Sequence, residues 1–258
     1  MNLHALAEEV ASHQRSGQEM EKLTVRYPEL TVEDAYRIQA LCVEQALARG
    51  DRLTGWKMGL TSKAKQVSVG VDEAIYGRLL ASMEMEEPVL RLEGFIHPRV
   101  EPEIAFVMKR ELGGKHVTAR DVWLATECIV PAIEVIDSRY RNFSFTLVDV
   151  VADNASAAKF ILGDQGFSPY VARWDEVGVA VFRNGEVMQC GAGAAVLGHP
   201  VRSVVQLARM LARAGASIEP GMVVLTGGIT EAVHVYAGDE IEVRYDELGT
   251  LRLSVGAE

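Results

Sequence analysis

Cysteine is scarce in this chain: Cys42, Cys128 and Cys190 stand far apart in 258 residues. An odd count rules out a complete disulfide framework, and no paired Cys spacing offers a zinc site. The three read as small buried thiols in a reducing cytosol. No run of apolar residues approaches the ~20 that a bilayer crossing needs. The opening "MNLHALAEEVASHQRSGQ" lacks a basic segment leading into an apolar one, so no signal peptide is expected. A cytoplasmic protein without membrane contact is the expectation. Basic residues are also few, 26 against 36 acids, for a formal net charge of −10. Nucleic acid is thereby excluded as a partner, because neutralising phosphates needs a basic face. An anionic small molecule stays possible if a local positive centre, such as a bound cation, receives it. Low-complexity segments and internal repeats are absent.

What remains is an ordinary globular composition, 48% apolar, long enough for one large domain or a domain with an appended lobe. Residues 3 to 15 and 32 to 49 read as helices. The second has Thr31 as N-cap, Asp34 in the first turn, a stripe of Ala35, Ile38, Leu41, Cys42 and Ala46, and Gly50 as its stop. From residue 52 the texture changes to short strands divided by glycines. "TGWKMGL" reads as a strand that leads into a short helix, capped by Thr61 or Ser62 and ended by Gly70. "VEPEIAFVM" and "CIVPAIEVID" read as core strands. "VGVAVFRNGEVMQCG" is a hairpin whose Asn184-Gly185 suits a type I′ turn. "VRSVVQLARMLARAG" is an amphipathic helix closed by Gly215, and three or four further strands follow it. The strands lack βαβ alternation, which disfavours Rossmann and TIM arrangements. The expected architecture is α/β: an N-terminal helical lobe, residues 1–51, on a mixed, strand-rich body, residues 52–258.

Within this frame, "HPRVEPEIAFVMKR" poses a problem. Glu101 and Glu103 alternate along a strand, so both project from one face, roughly 7 Å apart at their Cα atoms. Glu134 in "CIVPAIEVIDSRY" is a third acid inside an apolar strand. Unpaired, such charges repel and are costly to bury. Three hard oxygen ligands without histidine or cysteine suit Mg²⁺ or Mn²⁺, and a dication among them removes both penalties. On spacing alone a second reading stays open: the acids line a solvated sheet face, or pair with arginines such as Arg99 and Arg139.

Seven segments in order, "GWKMGLTSKAKQ", "GVDEAIYG", "HPRVEPEIAFV", "PAIEVIDSRY", "VVADNAS", "AAVLGHP" and "LTGGIT", resemble the fumarylacetoacetate hydrolase superfamily. The likeness runs from about residue 25 to the C-terminus. It is to the branch of 2-oxo-acid hydratases and decarboxylases of catechol meta-cleavage. The resemblance implies a mixed β-roll, with Glu101, Glu103 and Glu134 as metal ligands and Lys57 and Ser156 as active-site residues. It also implies Leu60, Ile75, Thr226 and Gly227 along the substrate. Where the hydratases carry an aspartate able to activate water, this chain has Ile75, which can do neither acid nor base work. The implied reaction is therefore decarboxylation of 2-oxo-3-hexenedioate, a 2-oxo dicarboxylate, by a homo-oligomer that associates with the pathway hydratase.

Competing signals are weaker. Hydration of 2-hydroxypenta-2,4-dienoate would use the same site. Acylpyruvate hydrolysis would need a histidine–acid pair that these motifs lack. A non-catalytic partner subunit with a structural ion is the alternative from another class. Lys57 alone would read as a surface lysine, except that of the three in "KMGLTSKAK" only it lies in the apolar strand. Ser156, Asp153 and Asn154 read equally well as caps, and "TGG" as a plain turn. "GAGAAVLG" fails as a dinucleotide fingerprint, since Val196 occupies a required small position after a hairpin. His199 and His234 read as satisfied structural histidines, and Asp72 and Glu73 as solvated loop acids.

Overall fold

The computed structural model describes residues 1–62, 66–67, 71 and 73–256. The expected helix ending at Gly70 lies largely outside the described residues, as does Asp72. Helix α1 (Leu3–Ser16) starts where the Asn2 side chain accepts from two backbone N–H groups, and stops at Gly17, whose φ of 60° suits a residue without Cβ. After a single turn, α2 (Leu23–Arg26), comes α3 (Val32–Ala48). Its Thr31 and Asp34 cap each other's backbone reciprocally, as expected.

The same device, a Thr followed three residues later by Asp, starts α4 (Ala119–Ala125) at Thr118 and α5 (Leu147–Ala152) at Thr146. These short helices lack the long apolar period by which α3 is read. Helix α6 (Pro200–Arg213) is capped by His199, whose Nδ1 accepts from Val201 N at 3.0 Å.

The strands form two sheets. In chain order they are β1 (Leu53–Gly59), β2 (Ile75–Leu80), β3 (Val89–Leu90), β4 (Arg99–Met108), β5 (Thr126–Ile136) and β6 (Ala157–Leu162). Then come β7 (Gly178–Arg183), β8 (Glu186–Ala192), β9 (Val223–Leu225), β10 (Val233–His234), β11 (Glu240–Tyr245) and β12 (Gly249–Val255). The larger sheet runs β2-β1-β9-β4-β5-β6, with β10 alongside β4, and the smaller β3-β12-β11-β7-β8. Parallel pairs, β1 with β9 and β3 with β12, sit among antiparallel ones, so both sheets are mixed. The β7–β8 hairpin turns at Asn184 and Gly185, both with positive φ, as a type I′ turn requires.

One core joins the sheets to α6: Val204, Leu207 and Leu211 pack with Phe106, Val224, Val243 and Leu253. A second joins the N-terminal helices to the body. There Leu6, Val10, Ile38 and Leu41 cluster with Tyr140, Val150, Val151 and Ile75. Of the stripe read from α3, Ala35, Ile38, Leu41 and Cys42 make this contact, while Ala46 packs against a third cluster with Val43, Leu79 and Leu80. Each such aliphatic contributes about 1.5–3 kcal/mol when fully buried.

Two expectations need correction. The cysteines are free but not deeply buried: Cys42 and Cys128 are intermediate, and Cys190 is exposed because it sits on β8, the edge of the smaller sheet. His234 is exposed as well, on the two-residue β10, whereas His199 is a structural cap. Among the described residues no helix is long and apolar enough to cross a membrane.

Candidate metal centre and active site

The register of β4 and β5 resolves the problem of the acids. Glu101 lies directly opposite Glu134, and Glu103 opposite Ala132. Cross-strand partners project to the same face, as do alternate residues on one strand, so sheet geometry alone converges the three carboxylates. One oxygen from each lies within 4.8 Å of the others. Glu103 is fully buried, Glu134 is 1% exposed and Glu101 7%. A solvated sheet face is thereby ruled out.

The arginine alternative fares no better for Arg139. It is spent on Asp153, which takes both its Nε–H and its backbone N–H. Burial still pushes the Asp153 carboxyl up to about 6, against the pull of Arg139.

Lys57 enters from β1, which reaches β4 through β9: Lys57 pairs with Leu225, and Leu225 with Ala105. Its Nζ is 3.0 Å from Glu134 Oε2 and donates to the Ala155 carbonyl at 3.1 Å. Burial alone would lower the Lys57 pKa, but the charges of Glu134, Glu103 and Glu101 outweigh it and hold the ammonium above its ordinary value. Burial, reinforced by Glu134, pushes Glu103 well above the ordinary carboxylate range, and burial raises Glu134 likewise.

The Lys57 ammonium is ion-paired with Glu134. The hydrogen bonds are not sufficient. Glu103 Oε2 accepts from Gly227 N at 2.7 Å, yet its Oε1 and Glu134 Oε1 are buried with no hydrogen bond. Such orphans are rare in folded proteins, and oxygen-only donors suit a hard dication. The residues fit Mg²⁺ or Mn²⁺.

Beside Lys57 the chain makes a turn in which Asn154, Ala155 and Ser156 have φ of 51°, 52° and 58°. Each non-glycine residue there costs about 1–2 kcal/mol. The turn is held because Asn154 accepts from Arg78 N at 2.8 Å and donates to Arg78 O at 2.9 Å. Gly77 permits the approach, since a Cβ there would stand 2.5 Å from the Asn154 carbonyl oxygen. The strain aims the Ala155 carbonyl at Lys57 and leaves the buried Ser156 hydroxyl without a hydrogen bond.

A cleft of about 490 Å³ opens over these groups. Lys57, Leu60, Ile75, Glu101 and Ser156 line it. Thr226 and Gly227 do not, although Gly228 does. The Thr226 hydroxyl is spent on the Ile104 carbonyl at 2.7 Å, and Gly227 serves Glu103 from behind. Gly227 has φ of +116° and no room for a side chain, a Cβ falling 2.1 Å from Thr61 Oγ1. Gly227→Ala is therefore expected to lower thermal stability and weaken metal binding together, read by a melting curve with and without Mg²⁺.

A model of the fumarylacetoacetate hydrolase C-terminal domain matches residues 56–256. The chain belongs to the fumarylacetoacetate hydrolase family. A 4-oxalocrotonate decarboxylase of Pseudomonas putida is 44% identical over 248 residues, which are 96% of this chain and 94% of that protein. A 2-hydroxyhexa-2,4-dienoate hydratase of Comamonas testosteroni is 38% identical over 239 residues, 92% of this chain and 90% of that one. The solved structure of 4-oxalocrotonate decarboxylase from Pseudomonas putida G7, complexed with magnesium and adipate, superposes with a TM-score of 0.95. It shares 42% identity and covers 98% of this chain and 97% of its own. The mixed roll with N-terminal helices is thus the family fold, as expected.

Arg99, Phe143, Phe145 and Glu231 also line the cleft of this family member, and motif reading passed over them as site residues. For Arg99 a signal was present: it stands two residues before Glu101 on β4 and shares its face. For Phe143 and Phe145 there was none, because a loop's path over a sheet leaves no period in sequence.

The raised carboxylate pKa values fix a pH dependence. A carboxyl with a higher pKa in the folded than in the unfolded state binds its proton more tightly when folded. Metal-free protein should therefore lose stability as pH rises from the ordinary value of 4.5 through the raised folded values. Saturating Mg²⁺ should flatten that slope, because the ion displaces the protons. Melting curves from pH 5 to 8 with chelator or Mg²⁺ read the difference.

Proposed function

We propose that this family member decarboxylates 2-oxo-3-hexenedioate to 2-hydroxypenta-2,4-dienoate and CO₂ with Mg²⁺ or Mn²⁺ held by Glu101, Glu103 and Glu134. The observation that carries the proposal is the buried glutamate triad with two orphaned oxygens beside an ion-paired Lys57. It stands in a chain 44% identical to a 4-oxalocrotonate decarboxylase. The adipate in the magnesium complex of that relative's P. putida G7 counterpart is a six-carbon diacid, the length of the proposed substrate.

A bound dication supplies Lewis acidity that draws electrons towards the 2-oxo acid end of the substrate. The pair from the breaking C5–C6 bond passes through the conjugated alkene to the C2 oxygen, and C6 leaves as CO₂. That oxygen takes up one proton, which Lys57 Nζ supplies or shares. Ser156 Oγ hydrogen-bonds a substrate oxygen. Leu60 and Ile75 form a dry wall that keeps water from the departing carboxylate and offers no acid to hydrate the product. Thr226 and Gly227 act at one remove, by fixing Glu103. No pyridoxal or thiamine is needed, since the substrate carries its own electron sink.

We further propose that residues 1–51 form a helical lobe seated on the catalytic roll of residues 52–258, that the chain self-associates, and that it pairs with the hydratase acting on its product. The hydratase relative keeps a second reading in view, in which this site adds water to the dienoate. Assaying chelator-treated protein with restored Mg²⁺ separates them. Metal-dependent CO₂ release from 2-oxo-3-hexenedioate is the expected result; hydration of the dienoate without CO₂ release would replace this reading with the second.

A further inference from the structure

A six-carbon 2-oxo diacid carries two negative charges at opposite ends, and the metal centre accounts for one. Among the described residues lining the cleft, the cations are Lys57 and Arg99. Lys57 is committed to Glu134 and the Ala155 carbonyl.

Arg99 is not so committed. Its Nε lies buried with no hydrogen-bond partner. Its guanidinium stacks over the Phe143 ring, 3.8 Å from the centroid, so one face is covered and the planar edge with its N–H donors is left to bind. Two backbone features hold it there. Strand β4 pairs Arg99 with Ile136 on one side and His234 on the other. Asn142 and Phe143 adopt positive φ, 57° and 54°, and the Asn142 N–H is tied to Glu19 Oε1 at 3.1 Å. Alternation along β4 sets Arg99 beside Glu101, roughly 7 Å away at Cα, so the cation stands off the metal centre by a distance a short diacid can bridge.

We infer that Arg99 is the specificity residue of the cleft, receiving the far carboxylate of the substrate and selecting 2-oxo diacids over 2-oxo monoacids. The inference rests on the function proposed above. It carries a kinetic consequence. The carboxylate that Arg99 pairs with loses its charge as CO₂ departs, so the ion pair is stronger in the ground state than in the transition state. Arg99 thus contributes to binding and orientation, and its removal should raise KM without lowering kcat.

Two ligands that differ only at the far end test this: 2-oxohexanedioate and 2-oxohexanoate, titrated calorimetrically into Mg²⁺-loaded wild type, Arg99→Gln and Arg99→Lys. Wild type should prefer the diacid. In Arg99→Gln that preference should fall roughly 10–100-fold, the worth of hydrogen bonds to a charged group, while 2-oxohexanoate binds as before and serves as the control for folding. Arg99→Lys should keep part of the preference, and steady-state assays should show the rise in KM with kcat unchanged or higher. An unchanged preference in Arg99→Gln, equal loss of both ligands, or a fall in kcat at unchanged KM would overturn the inference and leave the proposed function standing. Wild type that binds neither 2-oxo acid would overturn both.

Discussion

Glu103→Gln is expected to abolish turnover and leave the protein folded. Glu103 is fully buried, holds the Gly227 N–H at 2.7 Å, and has one oxygen with no partner. The amide oxygen of glutamine can still accept from Gly227, so the backbone is expected to stay in place. What is lost is a charged ligand of the proposed ion. Lewis-acid assistance is worth several kcal/mol, so the rate should fall on the order of 10³-fold or more. Stability moves the other way. Burial and Glu134 make the Glu103 anion unfavourable, so a neutral isostere should raise the melting temperature of metal-free protein near pH 7. Added Mg²⁺ would then no longer stabilise it, whereas in wild type a concentration of 100 times Kd gives about 2.7 kcal/mol. Melting curves and an assay on one preparation check both halves. A variant that keeps its Mg²⁺ shift would move the metal centre elsewhere.

Lys57→Met is the second large effect. It strips Glu134 of an ammonium 3.0 Å away and leaves the Ala155 carbonyl without its donor. Removing one partner of a buried ion pair costs about 3–5 kcal/mol. That cost should show mainly in metal-free protein, since a dication can take over the charge of Glu134. Metal affinity should rise, because a competing cation is gone. Turnover should nevertheless fall about 10²–10⁴-fold, the usual contribution of a proton-transferring group. Weaker metal binding together with lost activity would instead make Lys57 a support of the metal site only. Chelator titration of stability, set beside the rate, distinguishes these outcomes.

Legibility followed the period of the structure. Glu101 and Glu103 could be set on one face from spacing alone, but their meeting with Glu134 depends on the β4–β5 register, which no local pattern encodes. Lys57 was separable from its neighbours because it alone interrupts an apolar strand. The long helices α1, α3 and α6 were legible, α3 from its cap and apolar stripe and α6 from its amphipathic pattern and closing glycine. Helices α4 and α5 were not, though each has the Thr-x-x-Asp start of α3, because six or seven residues are too few to show a stripe. The left-handed turn at 154–156 was not legible, since asparagine tolerates that region at one position but alanine and serine carry no mark of it. It is imposed by Gly77 and Arg78, distant in sequence. Thr226 shows the opposite error of emphasis: a glycine-rich run invites a role against substrate, while the hydroxyl is spent on Ile104.

Titration of Mn²⁺ into metal-free protein is the measurement closest to the heart of the matter, followed calorimetrically or by the paramagnetic signal of the free ion. One ion per chain, bound with proton release and lost in each of Glu101→Gln, Glu103→Gln and Glu134→Gln, is the predicted result. Stoichiometric binding that survives the change at Glu134 would contradict it, for the carboxylates facing each other across β4 and β5 would then not share an ion.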